Sequence, residues 1–309
     1  MPHKRVESMK CAFLILAHED PENLRRLVHA LDDPHFDIYV HVSGCADLED
    51  FRFETYQLRH SRLTLLEKRI RTYWGDISLV DAMLALYRRA FENGRYDRYI
   101  TLSGLDYPLK SNRDILEALA DPNREFISAR PLGKDLDFKI RGIYIWKYHI
   151  LARIARHLVC NYHVRMHPEK LRIRQGDKEK SQVYFSSQWH ALSGECVSYM
   201  LKTLAENPRI VRFFRFAYAP DELLIPTVVC NSPFAHRIVP GHFPENQDFE
   251  ELFASLPAIH HLRRENKNVV VFREGDFGEL TASGKLFCRK VRTGISDVLL
   301  DRIDRHRQE

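Results

Sequence analysis

Three groups of residues in this 309-residue chain have the types and spacing to do chemistry. The first is a single acid, Asp106, which follows Ser103-Gly104-Leu105 at the end of an apolar run and precedes Tyr107-Pro108. Ligands of open α/β sheets bind beyond the carboxyl ends of the strands, where a bridging Mg²⁺ or Mn²⁺ wants paired oxygen ligands. A hydrophobic residue and a glycine occupy the positions before Asp106, so the acid is expected to organise its loop or touch a sugar, and no metal site is expected. The second group is Asp221-Glu222, after Ala219-Pro220 and before Leu223-Leu224-Ile225. Such a pair commonly starts a helix, where acids favour the positive end. The sharper reading makes one acid a general base within hydrogen-bond reach of a sugar hydroxyl. The third is a late basic group: Arg263, Arg264, Lys267, Arg273, Lys285, Arg289 and Lys290. Two or three such side chains can neutralise a pyrophosphate in place of a divalent ion. Lys290 follows Leu286-Phe287-Cys288, which should bury its backbone and direct its ammonium. His18 and His41, near strand ends, read as hydrogen-bonded structural or pocket-lining residues; no His-x-x-x-His or His-Glu-x-x-His pair occurs.

The elements that must position these groups alternate. Cys11 to Ala17 is a continuous apolar run, as in a strand buried on both faces. Asp20 and Pro21 read as the cap and first turn of a helix carrying Leu24, Leu27, Val28 and Leu31 on one stripe. Strands are expected at Asp37–Ser43, around Leu63–Leu66 and at Tyr99–Leu102, the last one over before Pro108, which cannot donate to a ladder. Helices are expected over Ile77–Phe91 and Asn112–Leu119. Further on come a strand at Phe126–Ser128, a strand and turn in Gln182–Ser193, a helix over Glu195–Glu206, and a turn and helix over Gly275–Ser283. Alternation at this length predicts an α/β fold with a mostly parallel central sheet flanked by helices. Neither a Gly-x-Gly-x-x-Gly fingerprint nor a Gly-x-x-x-x-Gly-Lys-Ser/Thr loop is present. With no repeat or Pro/Gly/Ser linker, one domain is expected: a nucleotide-binding half over about 10–125 and an acceptor and catalytic half over about 126–295.

Composition narrows the partners. The net charge of +5 is mild, below what a nucleic-acid binder displays, and no reading motif accompanies it. The basic and aromatic stretch Trp146–Arg174 suits peripheral contact with an acidic inner membrane face. Six dispersed cysteines without a Cys-x-x-Cys pair read as free, mostly buried thiols and not as a disulfide or zinc framework. No apolar window is long enough to span a bilayer, and a cytoplasmic location is expected.

Taken in order, these motifs resemble a known family. Ala12–His18, Ile38–Val42, Trp74-Gly75 with Ser78, Val80 and Ala82, Tyr99–Ser111, Ser187-Gln188-Trp189, Leu192-Ser193, Pro220-Asp221-Glu222 and Leu286-Phe287 to Lys290 are similar to the core-2/I-branching β-1,6-N-acetylglucosaminyltransferases and peptide O-xylosyltransferases, glycosyltransferase family 14. The resemblance covers about Cys11 to Val291. It implies a GT-A-type fold and an inverting, metal-independent transfer from a UDP-sugar, with no cofactor. GlcNAc and xylose are the sugars it suggests. It places the catalytic base on Glu222 and diphosphate contacts on Lys290 and Lys267, with Arg264 or Arg273 as substitutes for Lys267. Uridine contacts would fall on Ala17, His18, Val42 and Ser43; many relatives carry Asp where this chain has Ser43. Acceptor or sugar contacts would come from Lys139, Arg141, Ser187, Gln188, Trp189 and Asp221, with Asp106 on the donor side. The absence of an anchor and of a cysteine framework resembles a bacterial cytosolic member that builds surface polysaccharide on a glycan or lipid-linked acceptor. A binding module of the same fold without activity, a metal-dependent transferase of another family and a nucleic-acid binder are the rival readings.

Overall fold

The computed structural model describes residues 6–142, 144, 171, 173, 181–238 and 257–308. The chain begins with β1 (Cys11–Ala17), α1 (Pro21–Ala30), β2 (Phe36–Val42) and β3 (Arg62–Leu65). Next come α2 (Ile77–Asn93), β4 (Arg98–Ser103), β5 (Asp106–Pro108) and α3 (Asn112–Leu119). These are followed by β6 (Ala129–Pro131), α4 (Phe138–Arg141), β7 (Tyr184–Ser186), β8 (Ala191–Ser193), α5 (Gly194–Glu206) and α6 (Pro208–Phe214). A 3₁₀ turn, Pro220–Glu222, then leads directly into α7 (Leu224–Cys230). Last come β9 (His260–Leu262), the pair β10 (Arg264–Glu265) and β11 (Asn268–Val269), α8 (Phe277–Ala282), β12 (Phe287–Arg289) and α9 (Asp297–Gln308).

The main sheet has the order β3-β2-β1-β4-β8, with β1 to β4 parallel and β8 antiparallel. The expected α/β architecture with a mostly parallel central sheet is therefore present. Strand β1 shows why its sequence is apolar throughout: side chains alternate across a sheet, and both faces are covered. Ala12, Leu14 and Leu16 enter a core built with α2 and α5, while Cys11, Phe13, Ile15 and Ala17 enter a second core with α1, α3 and α9. Emptying a position such as Phe13 should cost about 3–5 kcal/mol. Strand β8, from the later half of the sequence, completes this sheet beside β4.

Asp20 caps α1: its Oδ1 accepts from Asn23 N at 3.1 Å, and Pro21 occupies the first turn. The same carboxylate accepts from Thr293 N at 2.9 Å and Thr293 Oγ1 at 2.6 Å, tying the loop after β1 to the loop after β12. As expected, β4 is over before Pro108, which ends a separate short strand, β5, paired antiparallel with β12. This is permitted because β5 is the edge of a three-stranded sheet, β5-β12-β9, and needs no donor on its open side. The strand expected at Phe126–Ser128 falls instead at Ala129–Pro131, while Glu125 and Phe126 form isolated bridges to Ile238 and Ala191. There the segment passes between elements and no ladder continues. The stretch Trp146–Arg174 lies outside the described residues except for Leu171 and Ile173. Among the described residues no helix is long and apolar enough to cross a membrane.

Candidate active site

The carboxyl ends of β1 and β2 carry the residues expected to meet uridine, and most of them face inward. Val42 is in the core, and Ala17 and Ser43 are buried. Ser43 N donates to Ala17 O at 2.8 Å, and Ser43 Oγ accepts from Thr72 N at 3.2 Å and Cys45 N at 3.3 Å. Arg69 donates to the carbonyls of Val42, Ser43 and Ala46. Side-chain contact from Val42, Ala17 or Ser43 is thus corrected: these residues shape the loops, and of the four only His18 has an exposed side chain. His41 is structural as expected. Its Nε2 accepts from Ile70 N at 2.9 Å, and burial pushes its pKa down to about 4.

Beyond β1 the chain places His18 and Glu19 against the residues that leave β12. Arg292 Nη2 donates to both oxygens of Glu19 at 2.7 Å, His18 Nε2 lies 3.1 Å from Glu19 and Lys290 Nζ 3.9 Å away. Burial lowers the His18 pKa, and although Glu19 opposes this, Arg289, Lys290 and Arg292 add to the lowering. Lys290 is lowered by burial and then by Arg289. Three cations therefore share one neighbourhood at the sheet's carboxyl edge, where Glu19 faces Arg292 and Lys290. Lys267 is at the exposed tip of the β10–β11 hairpin and Arg273 is exposed at the start of a 3₁₀ turn. Arg289 and Arg292 are the cations that act on Lys290 here. Arg289 belonged to the late basic group read from the sequence, whereas Arg292 and Glu19 carried no signal beyond their charge.

Asp106 is 0% exposed, which corrects the expectation of contact with the donor sugar. Its oxygens accept from Ser103 N at 2.7 Å, Ser103 Oγ at 3.3 Å and Arg289 Nη1 at 2.7 Å, with His260 Nε2 3.1 Å away. Burial would raise its pKa, but Arg289 and His260 outweigh burial and hold the carboxyl below its usual range. Burial pushes the His260 pKa down despite Asp106; its Nε2 faces the carboxylate, and its buried Nδ1 has no partner among the described residues. The Arg289 guanidinium stacks over the Trp189 ring at 4.6 Å.

The second carboxylate group lies on the 3₁₀ turn before α7. Lys139, 1% exposed, donates from Nζ to Glu222 Oε2 at 2.6 Å; the Glu222 side chain is 21% exposed. The rings of Phe185 and Tyr218 lie 5.0 Å and 4.9 Å from the same ammonium. Tyr218 also touches Trp74, which is 67% exposed, and Ala219 N donates to Gly75 O at 3.1 Å. Asp221 is buried, its Oδ1 has no partner among the described residues, and burial followed by the charge of Glu222 pushes its pKa up to about 7. It faces inward beside Glu222, whereas Arg141 is exposed and paired with Asp137. Ser187 Oγ accepts from Trp189 N at 3.2 Å, and the Gln188 carbonyl accepts from Thr101 Oγ1 at 2.8 Å.

One short segment joins the two ends. Phe185 touches Lys139, the partner of Glu222, and Trp189 touches Arg289. Four residues of chain span at most about 14 Å, so the 185–189 segment links the surroundings of the carboxylate to those of the cations. That arrangement can deprotonate a hydroxyl at one end and neutralise a leaving diphosphate at the other. Among the described residues no group of three His, Cys, Asp or Glu side chains is placed to hold a metal. Of the cysteines described, Cys11, Cys196 and Cys288 are buried free thiols, Cys230 is half-buried and Cys45 is exposed.

A sheet with its charged groups beyond the carboxyl ends defines the class of α/β proteins that bind ligands at that edge. Within it, the chain belongs to the Core-2/I-Branching enzyme family, whose model matches residues 11–242. It is 25% identical over 240 residues to "Xylosyltransferase oxt" of Drosophila melanogaster, covering 75% of this chain and 25% of that protein. It is 23% identical over 305 residues to "Xylosyltransferase 1" of Rattus norvegicus, covering 96% of this chain and 35% of that protein. The chain thus spans a quarter to about a third of the length of these relatives. Among solved structures, mouse xyloside xylosyltransferase 1 in its apo form aligns with a TM-score of 0.36 at 11% identity, covering 75% of this chain and 85% of that one.

Proposed function

We propose that this protein is an inverting glycosyltransferase of GT-A type that moves a sugar, GlcNAc or xylose, from a UDP-sugar to an acceptor hydroxyl without a divalent metal. The observations that carry the reading are the Glu222 carboxylate held by Lys139 and the Arg289–Lys290–Arg292 cations gathered beyond β1, linked by the 185–189 segment. Membership of the core-2/I-branching family supports the reaction class, and the xylosyltransferase relatives support a small sugar donor.

The reaction would be a single displacement. Lys139 occupies Oε2 of Glu222, leaving Oε1 to take the proton from the acceptor hydroxyl. The acceptor oxygen bonds to the anomeric carbon on the face opposite UDP, and the bond to the diphosphate oxygen breaks. Lys290, Arg289 and Arg292 then stabilise the charge that develops on the leaving group. The acceptor is a glycan or a lipid-linked saccharide of a bacterial surface polysaccharide, reached from the cytoplasm with the protein resting on the inner membrane face. Thermal-shift screening of UDP-sugars, followed by transfer assays in EDTA, tests the central reading. A wild-type protein that bound none of them would end it. Sedimentation with anionic and neutral liposomes tests the membrane contact, and equal binding to both would remove it.

A further inference from the structure

Resting on that reading, we propose that Asp106, with Ser103, is a positioning device that fixes Arg289 at the diphosphate end of the site. Asp106 never touches the donor, because it is sealed from solvent. It acts through one guanidinium nitrogen: Arg289 Nη1 donates to Asp106 Oδ1 at 2.7 Å and to Ser103 Oγ. Trp189 supports one face of the guanidinium from 4.6 Å. Nε and Nη2 of Arg289 make no hydrogen bond to described residues, and neither is sealed off from solvent. The guanidinium is planar with donors in a rigid fork, so fixing one nitrogen and one face fixes where the others point. Its charge acts on both His18 and Lys290, which places it at the cation cluster.

The device is itself held. Strand register sets Arg289 opposite Asp106 between β12 and β5, and opposite Leu262 of β9 on the other side. His260, also on β9, supplies a second donor to the carboxylate from 3.1 Å. Ser103 N and Oγ supply the others, so the carboxylate is satisfied from both strands and from the turn between β4 and β5. A purely structural ion pair would hold the sheet together without favouring any part of the donor. A positioning pair must favour the diphosphate over the nucleoside.

The test is calorimetric binding of UDP and of uridine to Asp106→Asn, Ser103→Ala, Arg289→Gln and the double variant Asp106→Asn/Arg289→Gln, with Tm recorded for each. Asp106→Asn should weaken UDP by about tenfold, the size of one hydrogen bond to a charged group, and leave uridine unchanged. Ser103→Ala should give a smaller loss of the same selectivity, and it decides alone if Asp106→Asn does not fold. In the Arg289→Gln background, Asp106→Asn should add nothing. Equal losses for UDP and uridine, no loss from either single variant, or additive losses in the double variant would each overturn the device. Failure of wild-type protein to bind UDP would instead overturn the donor reading, so the two failures are distinguishable.

Discussion

Lys139 Nζ meets Glu222 Oε2 at 2.6 Å from a position almost wholly removed from solvent, between the rings of Phe185 and Tyr218. The carboxylate is therefore held from behind by a cation that cannot swing away. Glu222→Gln should lower turnover by about two to four orders of magnitude while UDP affinity stays within error. Lys139→Met should lower both turnover and Tm, the stability loss being about 1–3 kcal/mol for a buried donor removed from a charged partner. Steady-state kinetics beside UDP calorimetry checks both, and wild-type turnover in Glu222→Gln would remove the base assignment.

Glu19 pairs with Arg292, lies 3.9 Å from Lys290 and is about a third exposed. An incoming diphosphate must compete with it for Arg292 and Lys290. Glu19→Gln should tighten UDP by roughly threefold to tenfold, with a steeper salt dependence, because one opposing charge is gone. The same change should slow product release and lower Tm slightly, since partly exposed pairs contribute little. A UDP affinity unchanged across a salt series would count against this competition.

Asp221 gives a pH signature. Its folded pKa of about 7 stands above the unfolded value near 3.9, so the native state binds the extra proton. The stabilising contribution is fully present below about pH 4 and is lost as pH rises through about 7. Asp221→Asn is uncharged throughout. Its Tm should match wild type near pH 4 and exceed it increasingly toward pH 8. A Tm difference that does not change with pH would show that burial of this acid does not govern stability there.

Metal dependence is a separate question with its own outcome. With Arg289, Lys290 and Arg292 supplying the positive charge, transfer from a UDP-sugar should persist in millimolar EDTA, and Lys290→Ala should cost about one to three orders of magnitude. Activity abolished by EDTA and restored by Mn²⁺ would favour the metal-dependent alternative.

The strands and helices legible in the sequence are those whose pattern is local. The all-apolar run of β1 announced a strand covered on both faces, and α3 spans the expected Asn112–Leu119. The site was legible only where a motif kept its residues together, as in Pro220-Asp221-Glu222. Asp106 and Arg289 are 183 positions apart in sequence, and nothing near either one reports the other. Periodicity reveals which face of a strand is buried, but not which distant charge waits there. Pro108 correctly marked where β4 had to be over, but gave no sign that an edge strand, β5, would include it, because its missing donor matters only on a strand with two neighbours.

The pairing of β5 with β12 also bears on synthesis. A nascent chain that has emerged only as far as residue 125 holds β1 to β4 and the Asp106 carboxylate, but neither the guanidinium that neutralises it nor the strand that covers it. The β5 edge keeps an uncompensated acid until Arg289 has left the ribosome. In this protein a strand made early is finished only by one made near the end.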